Sequence, residues 1–398
     1  MRLTPKRILL VESNDDGTVG GSHQCLFDLA AGMDRARYTP TVLFYEHNAY
    51  VERLEARGVR VLVWDAERQR ERSNPFRSAL ARKLYARAAV VGAVVRRTRL
   101  LRRERIDLVH LNNSPCIGFE DWLPATRLLR VPCIAHARAG YKRPGSRFGA
   151  WLTRRFDRFI AISRYISANV REAGVPSDRI RQIYDGIDLA ARETTERSDP
   201  ERTRRSLALS PSAMLIAMVG HLRSWKGQDV VLAALRELDP ALRARLHVVF
   251  VGGAPKSDAN YQEGLLKAVR EGGITDCVTF LGERSDVHEL MNASDVVLHA
   301  SSIPEPFGLV VLEGMALGKA VVASELGGPS EIVTADSGVL FDPSRPRELA
   351  DRLVGLLNAP DRRLALGDAA RLRARAFDVR INVERIQGVY AELLGDAS

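Results

Sequence analysis

The stretch AMLIAMVGHLRSWKGQDVVLAAL, Ala213 to Leu235, contains the unit from which the chain is built. An aliphatic run ends at Gly220, a loop carries His221, Arg223 and Lys226, and after Gly227 apolar residues recur at helical spacing. Strand, loop and helix in that order predict a parallel sheet covered by helices. Working outward, the same unit recurs. Before it come "RILLVE", "TPTVLFY", "VRVLVW", "DLVHLNN", "VPCIAHA", "DRFIAIS" and "IRQIYDG"; after it come "LHVVFVGG", "CVTFLGE", "DVVLHAS", "AVVAS" and "GVLFD".

A chain of 398 residues exceeds one ordinary core, so two domains are expected. The polar interval from Asp188 to about Ser206 divides the two series of strands. The expected class is α/β, with two doubly wound Rossmann-like domains facing across a cleft. Residues 1–190 form the first, acceptor-side domain, 191–205 a connection and 206–376 the second domain. A C-terminal amphipathic helix over 377–398 is able to return to the first. In open parallel sheets, ligands bind beyond the carboxyl ends of the strands; the residues just after strands are therefore the ones to weigh.

Composition and charge exclude several classes. The opening "MRLTPKRILLVESN" lacks a signal peptide's apolar core, and no apolar run approaches the ~20 residues of a bilayer-spanning helix. Cys25, Cys116, Cys133 and Cys277 form neither a CxxC pair nor a metal spacing and read as core residues of a reducing cytoplasm. The net charge is +10, and it is local. Thirteen basic residues against Glu71 and Glu104 lie between Arg68 and Arg105. With the remainder near neutral and little aromatic interleaving, no nucleic-acid partner is expected.

After the first strand, Gly17, Gly20 and Gly21 lead into a helix, where backbone can approach a ligand and free N–H groups face an anion. The cations around Gly227 are the stronger signal, because a cluster of them at a helix start fits a phosphate or diphosphate. The P-loop spacing is absent, which argues against an NTP hydrolase. Two carboxylates stand out in "SSIPEPFGLVVLEGMALGKAVVAS". Glu305 could simply precede a helix, whereas Glu313 sits among apolar residues, where a carboxylate is costly unless paired.

These segments resemble the retaining glycosyltransferases of family GT4, which have the GT-B fold. "VGHLRSWKGQ" is similar to their G-R-L-x-x-x-K-G segment, and "EPFGLVVLEGMALGKAVVASELGGPSEIV" to their E-x7-E segment. "IYDGIDL" resembles N-G-[IV]-D, "IAISRYI" a strand-to-serine segment, and the early glycine pair the N-terminal glycine loop. The resemblance implies that Glu313 accepts both ribose hydroxyls of a nucleotide sugar and that Glu305 faces the transferred sugar. Backbone N–H groups of Phe307, Gly308 and Leu309 would cradle the diphosphate. Lys226 would neutralise the departing phosphate, His136 would lie near the reacting carbon, and Gly253 and Arg284 would lie near the base. Gly20, Gly21 and Gly220 complete the donor-binding set. Two positions depart from the pattern: His221 stands at the family arginine, for which Arg223 is the expected substitute, and Asp185 stands at the family asparagine.

The activity implied is sugar transfer with retention from a UDP-, GDP- or ADP-linked donor to a hydroxyl acceptor. No metal or other cofactor is expected, since no DxD pair is present. A sugar-nucleotide epimerase of the same architecture and a non-catalytic nucleotide-sugar binder are the alternatives. In the basic segment 68–105, Phe76, Leu80, Leu84, Ala88, Val91 and Val95 recur at helical spacing among arginines. One reading packs this apolar stripe on the first sheet. The other has the basic rim, continued by Lys142, Arg143 and Arg147, meet an anionic membrane at its cytoplasmic face, near a lipid-linked or glycolipid-precursor acceptor.

Overall fold

The computed structural model describes residues 4–13, 19–64, 79–113, 122–140, 147–196, 198–207, 210, 212–255 and 258–395. Cys116, Gly17, Lys142, Arg143, the side chain of Arg147 and the side chains of 79–87 lie outside the described set, as does the basic segment from 68 to 78.

Two compact units are present. The first comprises the described residues up to Gly186 and those from Val379 on; the second is Ile187–Asp378. In the first unit the strands are β1 Lys6–Glu12, β2 Tyr38–Phe44, β3 Arg60–Val63, β4 Leu108–Asn112, β5 Cys133–Ala137, β6 Arg158–Ala161 and β7 Ile180–Gln182. They pair in the order β3-β2-β1-β4-β5-β6-β7, every pair parallel. The second unit contains β8 Met214–Val219, β9 Leu246–Val251, β10 Val278–Gly282, β11 Val296–His299, β12 Ala320–Ser324 and β13 Val339–Phe341. Their order is β10-β9-β8-β11-β12-β13, again all parallel. Each apolar run read from the sequence contains one of these strands. Strand order reverses beside β1 in the first sheet and beside β8 in the second, and a reversal opens a crevice at the carboxyl ends.

The central strands are apolar on both faces because helices cover both. In the first unit Ile8, Leu10, Val42 and Ile134 pack with Leu26 and Leu29 of helix Gly21–Gly32 and with Val383, Ile386 and Tyr390 of helix Val379–Leu394. In the second, Ile216, Val248 and Leu298 meet Val231 and Leu235 on one face, while Leu215, Ala217 and Val249 meet Leu290 on the other. Each such side chain, fully buried, contributes about 1.5–3 kcal/mol. Cys25, Cys133 and Cys277 are buried and form no disulfide among the described residues.

Two expectations need correction. Residues 191–205 are not a plain connection; helices Leu189–Glu196 and Pro200–Ser206 belong to the second unit. They read as polar because arginine chemistry attaches them: Arg204 donates to the carbonyls of Ala213 (2.6 Å) and Ala293 (3.0 Å) and to Asp295 (3.1 Å). The second concerns helix Ala79–Glu104, where one of the two readings of the apolar stripe, packing on the sheet, fails for its described part: Ala88, Val91 and Val95 are exposed. Val91 is 63% exposed and Val95 40%, whereas Ala93, Arg97, Leu100 and Leu101 are buried. Arg97 replaces an apolar residue on the packed face, its guanidinium 5.6 Å from the Trp64 ring centre and 5.3 Å from that of Trp122. Cation–π attraction between two stacked indoles lets a charge sit where periodicity demands an aliphatic side chain.

Candidate functional site

In the second unit, loops following β8, β11 and β12 converge at the carboxyl ends of their strands. Gly227, at φ +78°, makes the first contact possible: a Cβ there would lie 1.9 Å from the Ala300 carbonyl oxygen, so only glycine brings the β8 loop against the β11 loop. The Ser302 N–H donates to the Trp225 carbonyl (2.9 Å), joining the same two loops. The β12 loop closes from the other side, with Gly328 N–H on the Glu305 carbonyl (2.8 Å) and Glu305 N–H on the Leu326 carbonyl (3.2 Å).

This clamp fixes Glu305. Its Oε2 accepts from Lys226 Nζ at 2.9 Å, Ser301 Oγ at 2.9 Å and His299 Nε2 at 3.3 Å. Burial opposes the charge, but the His299 hydrogen bond and the Lys226 ammonium outweigh it and hold the carboxyl well below the usual range. Lys226 also lies 4.2 Å from the centre of the Trp225 ring. Among the described residues no other hydrogen bond reaches the Glu305 carboxylate, so its Oε1 remains available.

Phe307 is buried, and Gly308, at φ +103°, caps helix Leu309–Ala316 in a left-handed conformation that a Cβ would strain. The N–H groups of Gly308 and Leu309 find no acceptor among the described residues, as the first turn of a helix requires. About one turn along, Glu313 is tied through Oε1 to Arg192 (3.3 Å) and His288 (3.5 Å). The costly carboxylate among apolar neighbours is therefore paired, by an arginine from the supposed connection.

The remaining expected donor residues lie just after β8, β9 and β10 of the same unit. Gly220 ends β8 at φ +146°. The His221 carbonyl accepts from Gln228 (3.0 Å), while its Nδ1 is buried without a partner. Arg223 precedes the Ser224–Lys226 turn, and its guanidinium has no partner among the described residues. The Gly253 carbonyl accepts the Leu222 N–H (2.9 Å), tying the β9 loop to the β8 loop. Arg284 is engaged otherwise, with both nitrogens on Asp286 at 2.8 and 2.7 Å.

The other expected residues belong to the first unit. Gly20 and Gly21 are exposed at the start of helix Gly21–Gly32, with open space where a Gly20 Cβ would point. His136 lies inside β5 and is wholly buried. Beside it is a polar network that sequence reasoning missed: Arg138 bonds Asp185 at 2.6 and 2.5 Å and Asn112 at 2.7 Å, and Asn112 donates to Glu12 at 2.5 Å. Its members end or follow β1, β4, β5 and β7. Asp185 in place of the family asparagine was the available signal, since a new buried carboxylate needs a cation. Also missed were His299, Ser301, Arg192 and His288, which carry no mark in the sequence beyond their residue type. No trio of His, Cys, Asp or Glu suited to a metal ion occurs among the described residues.

Two parallel sheets with a carboxylate–lysine centre beyond the strand ends define a GT-B class protein, and solved structures agree. HepE of Anabaena, solved with UDP and glucose, superposes with a TM-score of 0.79 at 25% identity, over 96% of this chain and 99% of its own. A glycosyltransferase of Rickettsia africae shares the fold, with a TM-score of 0.83 at 19% identity, over 99% of this chain and 100% of its own. The Glycosyltransferase Family 4 description matches residues 19–191 and Glycosyl transferases group 1 matches 199–373; the chain belongs to this glycosyltransferase family. A curated relative, the D-inositol 3-phosphate glycosyltransferase of Corynebacterium jeikeium, is 35% identical over 218 residues, 54% of this chain and 52% of the relative. The chain spans about half the length of the curated relatives it matches.

Proposed function

We propose that the protein transfers a sugar, with retention, from a nucleotide sugar to an acceptor hydroxyl. The observation that carries this reading is the pairing of Glu305 with Lys226 beside the unbonded amides of Gly308 and Leu309. Both carboxylates use one oxygen for the protein and leave the other: Glu313 Oε2 for ribose hydroxyls, Glu305 Oε1 for the transferred sugar. The diphosphate takes the helix-start amides, Lys226 and the unpartnered Arg223. Negative charge developing on the departing phosphate is met by these fixed donors, with no metal required. The acceptor oxygen bonds to the anomeric carbon on the face the phosphate leaves, and its proton passes to that phosphate. Uracil is the first base to test, because HepE is solved with UDP and with UDP-glucose.

The acceptor proposed is lipid-linked, at the cytoplasmic face of an anionic membrane. No described helix is long and apolar enough to cross a membrane. Helix Ala79–Glu104 instead exposes Val90, Val91 and Val95 beside exposed Arg99, Arg102 and Arg103. Apolar side chains enter the interface while each nearby cation contributes up to about 1 kcal/mol with anionic lipid.

Thermal-shift screening against UDP-, GDP- and ADP-sugars, followed by anomer analysis of the product with and without chelator, tests the transfer. Stabilisation by none of the donors, or an inverted product, would refute it. Liposome co-sedimentation tests the docking: binding to anionic but not zwitterionic vesicles, weakened by salt and by R102E/R103E, is expected. Indifference to lipid charge would leave a soluble acceptor, as the phosphorylated polyol in the curated relatives' name allows.

A further inference from the structure

In the first unit three buried rings form a chain. Tyr390, on helix Val379–Leu394, places its hydroxyl 2.6 Å from His110 Nδ1 on β4. His110 Nε2 lies 2.9 Å from His136 Nδ1 on β5. All three residues are fully buried, and His136 Nε2 has no partner.

The hydrogens in this chain can be ordered in two ways. If His136 donated to His110 and His110 to Tyr390, the phenolic hydrogen would be left buried with no acceptor, as would the His136 Nε2 lone pair. In the other order Tyr390 donates to His110 Nδ1, and His110, protonated on Nε2, donates to His136 Nδ1. Only one group then lacks a partner, the Nε2–H of His136. Buried donors are rarely left unmade, so the second order is favoured. Burial and the Arg138 charge push His110 down to about 3 and His136 well below its ordinary value, which keeps both rings neutral. Burial raises the Tyr390 phenol, so its hydrogen stays in place.

We infer that Tyr390 and His110 are positioning residues that set the tautomer of His136, presenting its Nε2–H as a fixed hydrogen-bond donor to a ligand oxygen. His136 is thereby excluded as a proton acceptor. The inference rests on the glycosyl-transfer reading only for the identity of that ligand; the direction of the chain stands on the first unit alone.

Nitrogen NMR of protein labelled in its histidine rings reads the tautomers directly. Signals are assigned through the variants H110N and H136N. In the wild type both rings are expected to show an unprotonated Nδ1 and a protonated Nε2. Tyr390→Phe, which fits the same space, removes the first donor and should put part of the population of both rings on Nδ1. With the donor that the thermal-shift screen identifies, its kcat should fall in proportion to the fraction of His136 moved to Nδ1, up to about tenfold for complete loss of one neutral hydrogen bond, at unchanged KM. A wild-type His136 protonated on Nδ1, or doubly protonated, overturns the inference, as does a Tyr390→Phe spectrum identical to the wild type. The expected spectra in a protein that transfers no sugar would refute the functional reading and uphold the hydrogen-bond order.

Discussion

Replacing Lys226 by Met isolates the ion pair at the centre of the second unit. The Met side chain keeps the packing of the lysine stem on Trp225 and removes only the ammonium. Glu305 is 14% exposed and Lys226 22%, so the pair is largely withdrawn from water without being sealed. The loss comprises one of three hydrogen bonds to Oε2, charge-assisted and worth about 1.5–3 kcal/mol, and a cation–π contact worth about 0.5–1 kcal/mol. A destabilisation of about 2–4 kcal/mol follows, which for a unit of this size lowers Tm by about 5–15 °C. Glu305→Gln removes the opposite charge and leaves the lysine, the better solvated partner, so it should cost less. The double variant leaves no buried charge and should be less destabilised than the two losses together, by about 1–3 kcal/mol of coupling. Ligand-free thermal melts of the four proteins at neutral pH provide the cycle. Additivity to within about 0.5 kcal/mol would refute the pairing. The sign of the pH dependence is also set. The folded carboxyl titrates below its unfolded value, so its contribution is complete above about pH 4.3 and is lost as the pH falls through the folded pKa. Wild type should therefore lose more stability than Glu305→Gln on acidification below about pH 4.

Calorimetry with the nucleoside diphosphate should find it bound about tenfold or more weakly by Glu313→Ala, one charge-assisted hydrogen bond being worth about 1.5–3 kcal/mol. Glu305→Ala should spare that binding and reduce turnover and sugar choice; equal losses in both variants would assign the roles wrongly. Arg223→Ala should lower activity more than His221→Ala, since the partnerless guanidinium is the one able to meet phosphate; the reverse order refutes this. Asp185→Ala strands Arg138 in the first unit's interior and should cost about 3–5 kcal/mol, against a much smaller loss for the paired change with Arg138→Met, measured by urea unfolding.

The sequence by itself determined the parallel architecture and the neighbourhood of the candidate site. Alternation of aliphatic runs with helical spacing is a local property, because a strand covered on both faces must be apolar throughout; the central strands were legible for that reason, and the half-buried edge strands β3 and β7 by their place in the alternation. Gly227, Gly308 and the spacing of Glu305 from Glu313 were legible because backbone geometry and helix position are set within a few residues. Tertiary structure alone decided which groups complete the site. Arg192 reaches Glu313 across 121 positions of sequence, Lys226 reaches Glu305 across 79, and Tyr390 reaches His110 across 280. No pattern in either segment encodes such a meeting. The polar segment near residue 190 was misread, and the stripe on helix Ala79–Glu104 was left with two readings, for a related reason. Composition records how polar a residue is, whereas burial follows from what it meets, and Arg204 met carbonyls and Asp295 while Arg97 met two indole faces. A charge with such partners can be buried and an aliphatic stripe without them left in water, because the free energy of each is fixed by contacts that only the folded chain supplies.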